Sequence, residues 1–304
     1  MDICNEKKFI DLNDDLYIRY KESKLESLTD SENNCWIRDK EIGRGVTGRI
    51  VKFRSTNIDF ADLAIKEFAD SEEENEEIKT VLFFSKNKCK NFINIGIREI
   101  NNNNKLIIME KLTGDLVDFQ FSKYKNPKFL YNEIVKFLAD GYKCAYKHGK
   151  YFLDIKEENI GFKVCKDSIK FSFIDFGSFT DKDSKLAIST YNINQYCWKK
   201  NFFSNETILI YGTIITLLSL RLKIINNKFY KNFSNYIYDK LEKSKNYPKT
   251  NLLAIENYKK IREKFFFYFK KEDPFIDMLF KFLYKITQKQ VDLSEFFNRL
   301  DFFH

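Results

Sequence analysis

A chain of 304 residues, 43% hydrophobic and 17% aromatic, holds enough apolar material for one large core or two, which excludes a globally disordered protein. Its formal net charge of +8 favours acidic partners, although lysines spread this thinly also serve simply as a solubilising surface. Six cysteines without a Cys-x-x-Cys pair or a histidine-rich neighbourhood argue against zinc and against a disulfide framework, so a reducing compartment is expected.

The first fifteen residues are polar and acidic, where a secretory signal would be basic and then apolar. The longest apolar run, 208–220, is short for a bilayer and contains Tyr211, Gly212, Thr213, Thr216 and Ser219. An intracellular, cytoplasmic protein with no membrane span is the expectation. Residues 1–34 have mixed charge and weak periodicity and end in a polar cluster, Thr29 to Asn34; they read as an extension ahead of the domain. From Cys35-Trp36-Ile37 the pattern changes to short apolar stretches suited to strands, interrupted by Gly43-Arg44-Gly45-Val46-Thr47-Gly48-Arg49-Ile50-Val51. A lone Gly-x-Gly-x-x-Gly is a weak signal. Here Ile50 to Phe53 continue as a second strand rather than a helix, which makes a strand-turn-strand lid whose backbone N–H groups suit phosphates.

Lys66 follows in Leu63-Ala64-Ile65-Lys66-Glu67-Phe68, a strand. Next, a cap and a run of acids from Asp70 to Glu77 precede an apolar stretch ending at Phe84, which describes a helix with its acids in the first turns. Residues 105–116 read as a buried strand running into a Gly-containing connector. Leu130, Ile134, Phe137, Leu138 and Tyr142 recur at helical spacing, with His148 at the end of that helix as a cap or loop contact. Then come Asp154-Ile155-Lys156-Glu157-Glu158-Asn159 and, after a short apolar hairpin, Asp175-Phe176-Gly177. That set is what metal-assisted phosphoryl transfer requires. One carboxylate orients the attacking hydroxyl, while the Asn and the second carboxylate hold magnesium against the nucleotide phosphates.

Residues 178–205 are polar and carry Thr180, Ser184, Ser189, Thr190 and Tyr191. Residues 206–215 are apolar nearly all round, as a buried helix should be. A basic, aromatic region, roughly 222–271, is a candidate docking surface for an acidic partner, and two apolar helical stretches, 273–283 and 291–297, close the chain.

The ordered motifs, from the glycine loop through Ala-Ile-Lys, the strand and connector, Asp-x-Lys-x-x-Asn and Asp-Phe-Gly, resemble eukaryotic-type Ser/Thr protein kinases from about residue 36 to the C-terminus. The resemblance implies an α+β, bilobal fold, with a small β-rich N-lobe over 35–112 and a larger, mainly helical C-lobe over 113–304. It implies ATP and Mg2+ as cofactors and a protein substrate with a Ser or Thr acceptor. Asp154 would orient the hydroxyl and accept its proton, and Lys156 would steady the γ-phosphate. Asn159 and Asp175 would bind the metal. Lys66, held by Glu77 or its rival Glu73, would set the α- and β-phosphates. Gly43, Arg44, Gly45, Val46, Thr47, Gly48, Ile50 and Ala64 would enclose the nucleotide, with Met109 as gatekeeper and the backbones of Glu110 and Leu112 facing adenine. Residues 178–205 would be a short activation segment.

Several family positions differ. Phe152-Leu153 replaces the His-Arg before the catalytic Asp, Glu157 replaces a Pro, no Ala-Pro-Glu is found, and Thr207 stands for an Asp near the buried helix. Such losses resemble divergent, compact kinases such as those of large DNA viruses. A small-molecule kinase of the aminoglycoside or choline type and a pseudokinase scaffold remain as alternatives. A nucleic-acid-binding module has only the net charge in its favour and no recognisable motif.

Overall fold

Alternation along the strands decides the first half of the structure. The computed structural model describes residues 7–11, 15–22, 24–44, 48–68, 71–87, 89, 91–92, 95–101, 104–166, 168–181, 204–237 and 251–302. The protein is α+β and divides into two units, Met1–Asp115 with Gly161–Gly177, and Leu116–Ile160 with Ser178–His304.

In the first unit, β1 (Tyr17–Lys21), β2 (Lys24–Thr29), β3 (Cys35–Arg44), β4 (Gly48–Ser55), β5 (Leu63–Phe68), β6 (Ile95–Asn101) and β7 (Asn104–Glu110) form one antiparallel sheet. Its order is β1-β2-β3-β4-β5-β7-β6, and it curls into a half-barrel. Leu63 and Ile65 on β5, Leu106 and Ile108 on β7, Val51 and Phe53 on β4, and Trp36 on β3 share one core. Successive side chains point to opposite faces. Ala64 and Lys66 on β5 therefore share the other face with their register partners Met109 and Ile107 on β7. The hydrophobic core thus fixes which face Lys66 occupies.

Residues 17–29 lie in the stretch expected as an extension, yet they supply β1 and β2 of this sheet. Leu25 and Leu28 are 2% and 0% exposed and belong to the Trp36 core. A register shift between Arg19 and Tyr20 breaks the alternation that would have marked the strand in the sequence. The polar cluster after it is a turn held by Asp30, whose Oδ1 accepts from Asn34 N at 2.8 Å and Glu32 N at 3.0 Å. The same unit contains α1 (Ser71–Lys86) and a small three-stranded sheet of β8 (Gly114–Asp115), β10 (Ile160–Val164) and β11 (Ile169–Phe173), in the order β11-β10-β8, with β10 and β8 antiparallel.

The second unit is mainly helical: α2 (Pro127–Lys147), α3 (Asn205–Ile225), α4 (Asn227–Tyr236), α5 (Asn251–Tyr268), α6 (Pro274–Thr287) and α7 (Leu293–Phe302), with a short pair of strands, β9 (Lys150–Phe152) and β12 (Phe179–Asp181). Asn126 caps α2, accepting from Phe129 N at 3.1 Å, and Gly149 at φ 72° turns the chain away at its end. The apolar run expected over 208–220 is the middle of α3. At 21 residues this helix is long and apolar enough to cross a membrane by length and composition, but 78% of its apolar window is buried within the protein, as in a core helix. Two of its hydroxyls are paired inside: Thr213 Oγ1 donates to Leu209 O at 2.7 Å and Thr216 Oγ1 to Ile155 O at 3.3 Å.

Candidate functional site

The helical unit assembles Asp154, Lys156 and Asn159. β9 pairs with β12 through Tyr151↔Thr180 and Phe152↔Phe179, and Leu153 N donates to Ser178 O at 3.0 Å, so the backbone entering Asp154 is tied down on one side. On the other side α3 holds Ile155, through Thr216 and through Gly212, where an added Cβ would sit 3.3 Å from Ile155 Cβ. A 3-10 turn over Glu157–Asn159 then folds the chain back. Asn159 Nδ2 donates to Asp154 O at 2.8 Å and to Asp154 Oδ2 at 3.0 Å, and Lys156 Nζ lies 3.0 Å from the same Oδ2.

Asp154 Oδ1, by contrast, is buried and accepts no hydrogen bond among the described residues. Holding a carboxylate oxygen away from donors costs about 1–3 kcal/mol, which the packing around it must offset. Oδ1 remains a fixed acceptor for an incoming donor. Because the Asn159 amide nitrogen is spent on Asp154, its Oδ1 is left as a neutral oxygen ligand of the kind hard cations take.

In the sheet unit, Lys66 Nζ donates to Glu77 Oε2. The two are 9% and 4% exposed, so the pair is desolvated and removing either partner costs more than it would in an exposed pair. Helix α1 places Glu77, Val81 and Phe84 at i, i+4 and i+7 on one face. Glu73 is also on α1, and its side chain lies outside the described residues. Asp175 leads into a 3-10 turn over Phe176–Ser178, with Gly177 N donating to Asp175 Oδ1 at 3.2 Å. A Cβ on Gly177 would lie 3.4 Å from both Asp175 Oδ1 and Glu77 Oε2, so the acid of α1 and the acid before Phe176 converge on a glycine.

Phe176 is 1% exposed and anchors this turn. Its ring centroid is 6.2 Å from Phe84 and 5.8 Å from Phe92, and Phe92 stacks on Phe84 at 4.2 Å. Sequence reasoning missed this cluster, because Phe84 and Phe92 are two among 32 phenylalanines. Their signal was the i+7 spacing of Phe84 from Glu77.

Of the glycine loop, Gly43 and Arg44 end β3 and Gly48 begins β4; Gly45, Val46 and Thr47 lie outside the described residues. At Gly48 a Cβ would run into Glu67 O, so the close approach of β4 to β5 demands glycine there. Arg44 forms an exposed pair with Glu41 at 2.8 Å. Ile50 sits opposite Lys66 and Ala64 opposite Met109. Met109 is buried, the Glu110 carboxylate pairs with Lys163, and Leu112 packs over Gly161, where a Cβ would collide with Leu112 and Ile174. Glu67, which the sequence did not single out, binds Arg38 and accepts from Arg49 Nε at 2.6 Å. Burial pushes its carboxyl up, but the two guanidinium groups outweigh this and hold it below the usual range.

Thr180 is buried in β12, whereas Ser184, Ser189, Thr190 and Tyr191 lie outside the described residues. His148 caps α2, its N–H donating to Ala145 O at 3.0 Å. In comparisons with known proteins, the chain matches no family model and no curated sequence.

Proposed function

We propose that this protein is an ATP-dependent Ser/Thr protein kinase. The observation that carries the reading is the Asp154 carboxylate, with Oδ2 fixed by Asn159 and Lys156 and Oδ1 buried without a partner among the described residues. A general base must keep one oxygen for the proton it takes and be held by its neighbours in the attitude to take it. Asp154 accepts the proton of the acceptor hydroxyl at Oδ1. Lys156, beside the other oxygen, steadies the γ-phosphate. Lys66, kept in place by Glu77, binds the α- and β-phosphates.

Asn159 offers an amide oxygen and Asp175 a carboxylate, both hard ligands of the kind magnesium takes, and on this reading they would hold it. When bound, the metal neutralises charge building up on the phosphoryl oxygens. Ala64, Met109 and the backbones of Glu110 and Leu112 are assigned to adenine. We read the sheet unit and the helical unit as the small and large lobes of a bilobal kinase fold. This is supported by the positions of the glycine motif and Lys66 on adjoining strands of one unit and of the Asp154 loop against the buried helix of the other. An intracellular setting and a protein acceptor belong to the same proposal.

The test is transfer of labelled γ-phosphate from ATP with magnesium, to the protein itself and to casein and basic proteins, alongside Asp154→Asn and Lys66→Met. Label on Ser or Thr that both folded variants lose by about a hundredfold or more is expected. Transfer to a small alcohol or sugar alone would point instead to a small-molecule kinase, and ATP binding without any transfer to a scaffold.

A further inference from the structure

The helical unit carries a cavity of about 240 Å³ whose lining includes Lys128, Tyr131 and Val135 of α2, Arg221 near the end of α3, and Asp273 and Phe275 at the start of α6. Its wall is apolar. Tyr131 and Val135 are each 2% exposed, and the Tyr131 ring meets Phe275 edge-on at 6.0 Å.

Against that wall lies a cation with donors to spare. The Arg221 guanidinium is 5.5 Å from the ring centroids of both Tyr131 and Phe269, and one of its amines donates to Asp273 Oδ2 at 2.7 Å. Asp273 is also committed elsewhere, because its Oδ1 caps α6 by accepting from Phe275 N at 3.1 Å. A guanidinium has five N–H donors. Arg221 Nε is enclosed without a partner among the described residues, so the group offers more than its surroundings accept. Lys128 is exposed, and the charges of Lys128, Arg221 and Asp273 leave a positive excess. The chain on either side adds Lys125, Lys270 and Lys271, all exposed.

The volume is below the roughly 300–1,000 Å³ of pockets that enclose a small molecule, and suits one or two side chains of a segment lying across the surface. We propose that this cavity docks an acidic peptide segment of a partner protein. A Glu or Asp carboxylate of the segment meets Arg221 and Lys128, and an adjacent apolar side chain packs on Tyr131, Val135 and Phe275. The inference is independent of the phosphoryl-transfer reading and is tested without nucleotide.

The experiment is fluorescence anisotropy of a labelled peptide of alternating Glu and Leu, titrated with the 304-residue protein. Replacing Arg221 would strand Asp273, so the variants are placed on α2: Lys128→Glu, and Asn132→Phe, which puts a ring into the cavity from a half-buried lining position. With both variants folded by circular dichroism, the expected result is saturable binding by wild type that weakens with salt. Lys128→Glu should weaken it roughly fivefold or more, with a comparable loss for Asn132→Phe, and a Gln-Leu peptide should bind much less. The proposal is overturned if wild type shows no saturable binding, if both variants bind like wild type, or if the Gln-Leu peptide binds equally. Displacement of the peptide by an equal concentration of free glutarate would also overturn it, by assigning the cavity to a small carboxylate.

Discussion

Glu67 shows how a single side chain outside the chemistry can control the strand that carries it. It follows Lys66 on β5 and points to the opposite side, where Arg38 of β3 and Arg49 of β4 grip it. These two guanidinium groups hold its folded pKa below the ordinary glutamate value of about 4.3. A lowered carboxylate pKa means stability that is fully present above the unfolded value and is lost as pH falls through the folded one. Glu67→Gln should therefore cost about 1–2 kcal/mol near neutral pH, and the gap to wild type should close below about pH 4. Urea midpoints measured across that range check it, and a gap that persists at low pH would contradict the assignment. Lys66 was legible because its chemistry and spacing stood out. Glu67 was not, since nothing local distinguishes a strand glutamate facing water from one clamped by arginines distant in sequence.

At the scale of elements, α3 governs the loop it supports. Gly212 leaves room for Ile155, and Thr216 holds the Ile155 carbonyl, one residue beyond Asp154. Gly212→Val would push methyl groups into that backbone at a cost of about 1–3 kcal/mol. On the proposed reading it should also lower kcat more than it raises KM for ATP, because the displaced group is the base rather than the phosphate contacts. Equal transfer rates in a folded, destabilised variant would separate Ile155 packing from Asp154 placement.

Leu153 bears on activation. The position before Asp154 is an apolar side chain, 4% exposed, with no charge to receive a phosphate. On the proposed reading, replacing Thr180, Ser184, Ser189, Thr190 and Tyr191 by Ala or Phe should leave transfer within about twofold of wild type, measured with equal amounts of folded protein. The apolar run of α3 was legible because burial all round needs unbroken hydrophobicity. Its ends were not, since Ser204 Oγ accepts from Thr207 N at 3.2 Å and moves the start ahead of the apolar run.

For the whole molecule, the least legible feature is the contribution of the first thirty residues. Charge and weak periodicity made them read as an extension, and within β1 and β2 only Leu25 and Leu28 are fully buried, three residues apart rather than two. That spacing matches neither a regular strand nor the polar run expected of a tail. Yet with Ile10 these leucines close the Trp36 core from one side, and Trp36 itself is fixed by its indole N–H to Ala61 O at 2.9 Å. Deleting residues 1–29 would uncover that core. Each lost leucine is comparable to a core Leu→Ala change, about 2–5 kcal/mol, a large share of the 5–15 kcal/mol by which domains are stable. The truncated protein should show a sharply lowered thermal midpoint and fast amide exchange through β3, β4 and β5, where slow exchange is expected in the full chain. Because Lys66 lies on β5 opposite that core, on the proposed reading nucleotide binding should weaken together with the loss of protection. A truncated protein that keeps wild-type exchange in β5 would show that the sheet is self-sufficient from β3 onward and that β1 and β2 only cover it.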